Sequence, residues 1–120
     1  MRFVPVKSKA KQASAVIFRT RDLLVRQRTQ IINALRGHMG EYGLIAPQGK
    51  AHVGRLIALI EDPALGVPES AHTCLARLVA VLRGLKRDVR ELDRRIVVRA
   101  RQNDTARRLM TVPGIGEATT

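Results

Sequence analysis

The sequence predicts an all-α, elongated fold: a helical hairpin or coiled coil followed by the start of a helix-hairpin-helix. Three observations carry this. Leu75, Leu78, Leu82, Leu85, Val89, Leu92 and Ile96 alternate three and four residues apart for over three heptads, the a/d spacing of a coiled coil. Nowhere does the chain alternate apolar and polar residues as a half-buried strand does. Aromatics are nearly absent, with Phe3, Phe18 and Tyr42 the complete set and no Trp. Leu, Ile, Val and Ala supply the apolar mass, a mix suited to helices packed through aliphatic seams.

The elements follow in order. Ser8 is placed to cap a first helix after Pro5-Val6-Lys7. That helix is expected to run to about Arg36 and to stop at Gly37. Ala13, Ile17, Thr20, Leu24, Gln27, Ile31 and Ala34 form its seam, which Thr20 and Gln27 make imperfect. Arg19, Arg21, Arg26, Arg28 and Arg36 are assigned to its other faces. Gly37 to Gly43 reads as a glycine-rich connector, extended by Pro47-Gln48-Gly49. A short helix carrying Val53, Leu56, Ile57 and Ile60 comes next. Asp62-Pro63 ends it, and Gly66-Val67-Pro68 is a second linker. Ser70 is read as the cap of the third helix, which extends to about Arg101, a length of about 45 Å. Gly84 inside it costs roughly 1 kcal/mol against Ala, less than the flanking pattern supplies. Asn103-Asp104 is expected to break the run, with Asp104 or Thr105 capping a last short helix through Leu109 and Met110.

The third helix needs a partner for its seam. With Leu75, Leu82, Val89 and Ile96 at a and Leu78, Leu85 and Leu92 at d, Val81, Asp88 and Arg95 occupy g, and Val79, Lys86 and Asp93 occupy e. A parallel homodimer would oppose Asp88 to Asp93. An antiparallel homodimer sets Asp88 against Arg95 and Lys86 against Asp93. Such exposed pairs contribute only about 0.2–1 kcal/mol each, so they choose orientation and the apolar seam drives association. The alternative is a seam packed internally against the first helix.

Lys and Arg number 22 against 10 acids, a net charge of +12, with a pI near 11.5. A surplus this large points to a polyanion, nucleic acid first and anionic membrane second. Arg dominates Lys, which suits bidentate phosphate contacts. At 120 residues the chain is one domain or less. Cys74, the single cysteine, has no internal disulfide partner and is read as a small buried residue. The amino terminus lacks the apolar stretch of a signal peptide, and no run approaches about 18 apolar residues. A cytoplasmic location is expected.

The carboxyl-terminal stretch carries the clearest motif. Val112-Pro113-Gly114-Ile115-Gly116 fits the apolar-x-Gly-apolar-Gly turn of a helix-hairpin-helix. Glycines there adopt backbone angles closed to other residues and let N–H groups approach a phosphate at the start of the next helix. Arg107 and Arg108 precede the turn. Contacts of this kind ignore base sequence. Candidate nucleic-acid contacts are therefore Arg19, Arg21, Arg26, Arg28, Arg36, Arg107, Arg108, Val112, Gly114, Ile115 and Gly116. Candidate oligomerisation positions are the seven of the Leu75–Ile96 seam. No catalytic site assembles. His38, His52 and His72 are isolated, with no partner at metal-ligand spacing. Ser8, Ser14 and Ser70 lie in no nucleophile motif, and no Walker-type loop occurs.

Several segments resemble a known family. Phe3 to Ser8, Arg19 to His38 with its Arg-Thr-Gln-x-Ile-Asn-Ala-Leu-Arg-Gly stretch, and Gly43 to Gly49 look like the middle of a bacterial insertion-sequence transposase of the one-ten group, relatives of the Piv DNA invertases. Leu109 to Gly116 resembles the start of that family's carboxyl-terminal domain. The resemblance implies an amino-terminal RuvC-like domain with four acids (Asp-Glu-Asp-Asp) holding divalent metal, a helical coiled-coil region, and a later domain with a nucleophilic serine. Residues 1–7 then read as a linker after the acidic domain, 8–101 as the helical assembly region, and 104–120 as the truncated start of the final domain. No catalytic residue carries over to any position here, and no cofactor is expected in this chain. The implied partners are DNA, for many members a structured guide RNA, and further copies of the chain. The expected function is DNA binding and oligomerisation in transposition or recombination. The alternative is a free-standing basic helical protein that binds nucleic acid or acts as a regulator or scaffold.

Overall fold

In the computed structural model, residues 6–45 and 52–111 are described. They form three helices: α1, Val6–Glu41; α2, Val53–Glu61; and α3, Glu69–Thr111. Among the described residues there is no strand. The all-α expectation holds.

The first helix overruns its expected end. Gly37 and Gly40 both lie inside α1. Each costs roughly 1 kcal/mol relative to Ala, but Leu35 and Met39, four residues apart, are both fully buried and hold that turn against the core. The true stop is Gly43, whose φ of 75° is the left-handed conformation. The Leu44 N–H donates to the Met39 carbonyl at 2.9 Å and the Gly43 N–H to the Gly40 carbonyl at 3.0 Å, the paired bonds of a Schellman terminus. An added Cβ at any of the three glycines would meet nothing within 4 Å, so only backbone conformation distinguishes them. Gly37→Ala and Gly40→Ala should therefore each raise stability by about 0.5–1 kcal/mol. Gly43→Ala should lower it by about 1–2 kcal/mol. Urea unfolding followed by circular dichroism checks both signs.

The helix starts also differ from expectation. α1 begins at Val6, so Ser8 lies within its first turn rather than at its cap. α3 begins at Glu69, so Ser70 is inside it. The Pro68 carbonyl accepts the first helical bond from the His72 N–H at 2.9 Å, and the acidic Glu69 suits the positive end of the helix.

α2 matches the sequence reading, with Val53, Leu56, Ile57 and Ile60 all buried. Asp62 ends it in extended conformation, ψ 123°, as a residue before proline prefers. Its carboxylate then accepts the Ala64 N–H at 2.9 Å, turning the chain toward α3.

α3 passes unbroken through Gly84 and through Asn103-Asp104 to Thr111. The expected break and the separate last helix do not occur. Asn and Asp cost only about 0.7 kcal/mol each in a helix, and the sequence holds no Gly or Pro between Gly84 and Pro113.

The chain divides into two compact units, one of residues 1–21 with 90–120 and one of residues 22–89. In the 22–89 unit, Leu35 and Met39 of α1, Val53, Leu56, Ile57 and Ile60 of α2, and Leu75, Val79 and Leu82 of α3 form one buried cluster. Arg83 donates both guanidinium nitrogens to Glu61 at 2.7 and 2.9 Å, fastening α3 to the end of α2. That pairing holds the Glu61 carboxyl below its ordinary value. The His72 ring nitrogen lies 3.1 Å from the Ile60 carbonyl and closes the same corner.

In the other unit the first part of α1 runs antiparallel to the last part of α3. Arg21 donates to the Asp93 carboxylate, and seven residues earlier on α1 Ser14 accepts from Arg99 at 2.9 Å. Every buried apolar side chain among the described residues belongs to the 22–89 unit. The helix pair is held by half-buried side chains such as Ile17, Leu92 and Ile96, and by these polar bonds.

Candidate nucleic-acid interface

The inward face of α1 is not the one the sequence suggested. Thr20 and Gln27 are exposed, whereas Arg21 and Arg28 are half-buried. Ser14, Ile17, Arg21, Leu24, Arg28, Ile31 and Leu35 make an unbroken three-and-four spacing. Arg occupies seam positions because its aliphatic stem packs while its head finds an acid or water; Arg21 finds Asp93. Arg21 and Arg28 are therefore inward residues of α1, not outward ones.

The other candidates separate by exposure. Arg19 and Arg26 are exposed on α1, Arg36 is half-buried, and Arg107 and Arg108 are exposed near the end of α3. Val112, Gly114, Ile115 and Gly116 lie outside the described residues, as does the Pro47-Gln48-Gly49 connector.

The α3 seam is packed within a single chain. Leu75, Leu82, Leu85 and Val89 are buried, and Leu78, Leu92 and Ile96 are half-buried. Val79, an e position, is also buried. Asp93 is engaged by Arg21, and Arg95 leans on Glu91 at 3.5 Å.

Cys74 is exposed, against the expectation of burial, because it sits one position before Leu75 and turns away from the cluster. His38 is exposed, and His52 and His72 are half-buried. Among the described residues no three His, Cys, Asp or Glu side chains come together to hold a metal ion. The divalent metal that the resemblance implies has no ligand set there. Among the described residues no helix is long and apolar enough to cross a membrane.

The sequence reading overlooked how unevenly charge is distributed. Residues 6–21 and 90–111 carry twelve Lys and Arg against three acids, a net of +9. Residues 22–89 carry nine against six, a net of +3. The unit without a buried core thus holds most of the surplus. One of its concavities is an open groove lined in part by Ile17, Arg94, Arg95 and Arg99, shaped for a surface contact rather than for enclosing a small molecule. Glu91, engaged first by Arg94 and then by Arg95, is held below its ordinary value. Its ion pairs are local, on one helix, and solvent-exposed.

Comparison with known proteins gives the context of this surface. The chain is 35% identical over 117 residues to a putative transposase of Sinorhizobium fredii, covering 97% of this chain and 30% of that protein. It is 38% identical over 119 residues to a probable family 20 transposase of Pseudomonas aeruginosa, covering 97% and 35%. It is 33% identical over 119 residues to a transposase for an insertion sequence element of Yersinia enterocolitica, covering 99% and 35%. No protein-family model matches the chain, and no solved structure matches it. It spans about a third of the length of the curated relatives it matches. Along nearly its whole length, the chain is similar to about one third of each of these transposases.

Proposed function

We propose that this chain is a helical segment of an insertion-sequence transposase of the one-ten group, and that it holds DNA by the phosphate backbone. The observation that carries this reading is the net charge of +9 on the coreless helix pair. Charge packed so densely on two helices repels itself and favours a polyanion at its surface. The kinship with transposases makes DNA the polyanion of choice. Strand cutting and joining are assigned to the acidic and serine-bearing domains that the resemblance implies for a full-length relative.

Backbone contacts carry no base information. Two 20-base-pair duplexes of unrelated sequence should therefore bind the purified chain with affinities within about threefold of each other. Fluorescence anisotropy at 50 mM salt reads this directly. Strong preference for one sequence, or binding to neither, would overturn the proposal.

A further inference from the structure

We infer that Arg90, Arg94, Arg101 and Arg108 form a single phosphate-contacting stripe along the outer face of α3, and that this stripe is the principal DNA contact of the chain. This inference rests on the backbone-binding reading above and assigns it a place.

The geometry comes from helical spacing. At 3.6 residues per turn, positions 90, 94, 101 and 108 fall within about 40° of one another, and they extend over about 27 Å at 1.5 Å per residue. All four are exposed. Arg90, Arg101 and Arg108 stand opposite Leu92, Ile96 and Arg99, the side of α3 that packs toward α1 through Arg99 and Ser14, and Arg94, at the edge of the row, also borders the groove that Ile17 of α1 lines. Packing against α1 therefore leaves the stripe open and fixes its direction. A duplex presents a phosphate every 3.4 Å along each strand, so a straight row of this length spans more phosphates than it has arginines.

Among the described residues, Arg90 and Arg101 have no carboxylate partner, and Arg94 has only Glu91 three residues before it. The row is interrupted by Val97 and by Asp104, both exposed. Asp104 is the one acid within the stripe, three residues after Arg101 and four before Arg108. It opposes a phosphate there and supplies a test of opposite sign. α1 adds exposed Lys9, Lys11 and Arg19 within the same unit, but their spacing makes no comparable row. In the 22–89 unit, Arg26, Arg55 and Arg77 are equally exposed and share no row.

The test compares two triple variants of the full chain that lose equal charge, Arg90→Gln/Arg94→Gln/Arg101→Gln and Arg26→Gln/Arg55→Gln/Arg77→Gln. Gln keeps the helix propensity of Arg, and circular dichroism verifies that helicity is retained. The stripe variant should bind a 20-base-pair duplex on the order of 100-fold more weakly at 0.1 M salt, with a salt slope shallower by about 2.7. The second variant should lose less than about fivefold through the general field. Asp104→Asn should bind about threefold more tightly. Equal losses in the two triple variants, or no gain from Asp104→Asn, would overturn the stripe while leaving backbone binding intact. A stripe loss seen with duplex RNA or anionic vesicles but not with DNA would also overturn it. Failure of the unaltered chain to bind DNA at all would overturn the backbone-binding reading itself.

Discussion

Leu82→Ala should lower the unfolding free energy of the chain by about 3 kcal/mol, within the 2–5 kcal/mol that deletion of a fully buried leucine costs. Leu82 has no solvent-exposed surface and belongs to the cluster that joins all three helices. Removing its branched end withdraws apolar area from the core and leaves a cavity that rigid helices close only partly. A unit of this size has about 3–10 kcal/mol of total stability, so the loss is a large share of it. Leu92→Ala is the internal contrast. Leu92 continues the same heptad seam, but it is half-buried and lies in the coreless unit. Its truncation should cost about 1 kcal/mol or less. Urea denaturation of the two variants separates these cases. Equal and small losses would mean that the cluster is not the source of stability.

The contrast shows what periodicity conveyed and what it did not. The spacing of Leu75 to Ile96 picks out residues of α3 that are buried or half-buried, and the four apolar residues expected on the short helix α2 are all buried. Periodicity did not say what the α3 face meets, because a heptad seam suits a second copy and an internal neighbour equally. The short α2 decides it locally. Its Val53, Leu56, Ile57 and Ile60 bury themselves against α3 and α1, which occupies the seam from Leu75 to Leu82.

The α1 seam was misread for a related reason. Three-and-four spacing from Ile17, Leu24 and Ile31 fits Thr20 and Gln27 and fits Arg21 and Arg28 equally well, so spacing alone does not choose between them. An amphipathic side chain can occupy an inward position when an acid is within reach, and Asp93 lies far away in sequence. The helix ends were poorly legible too. Gly37 reads as a stop in the sequence, but among the described residues only Gly43 adopts the positive φ that a helix terminus of this type demands. Asn103-Asp104 was taken as a break, but local preferences of that size do not stop a helix with no proline or glycine near.

The basic character was legible from composition alone, and its arrangement was not. Arg90, Arg94 and Arg101 lie outside the sequence candidates, which are arginines of the first helix and those next to the expected hairpin turn. The signal was present as a spacing of four and seven residues, the same arithmetic that reveals an apolar seam, applied to charge.

Backbone binding predicts a steep dependence on salt, and this is the second large effect. A chain that neutralises about four phosphates through a rigid row of cations should show a slope of log affinity against log salt of about −4. Between 50 and 200 mM salt its affinity for duplex DNA should then fall roughly 150- to 250-fold. The decisive measurement is that salt titration on the purified chain, with a 20-base-pair duplex and anisotropy as the readout. A linear plot with a slope of about −4 or steeper supports phosphate-backbone binding by the helix pair. A slope shallower than about −1, or no binding at 50 mM salt, would contradict it.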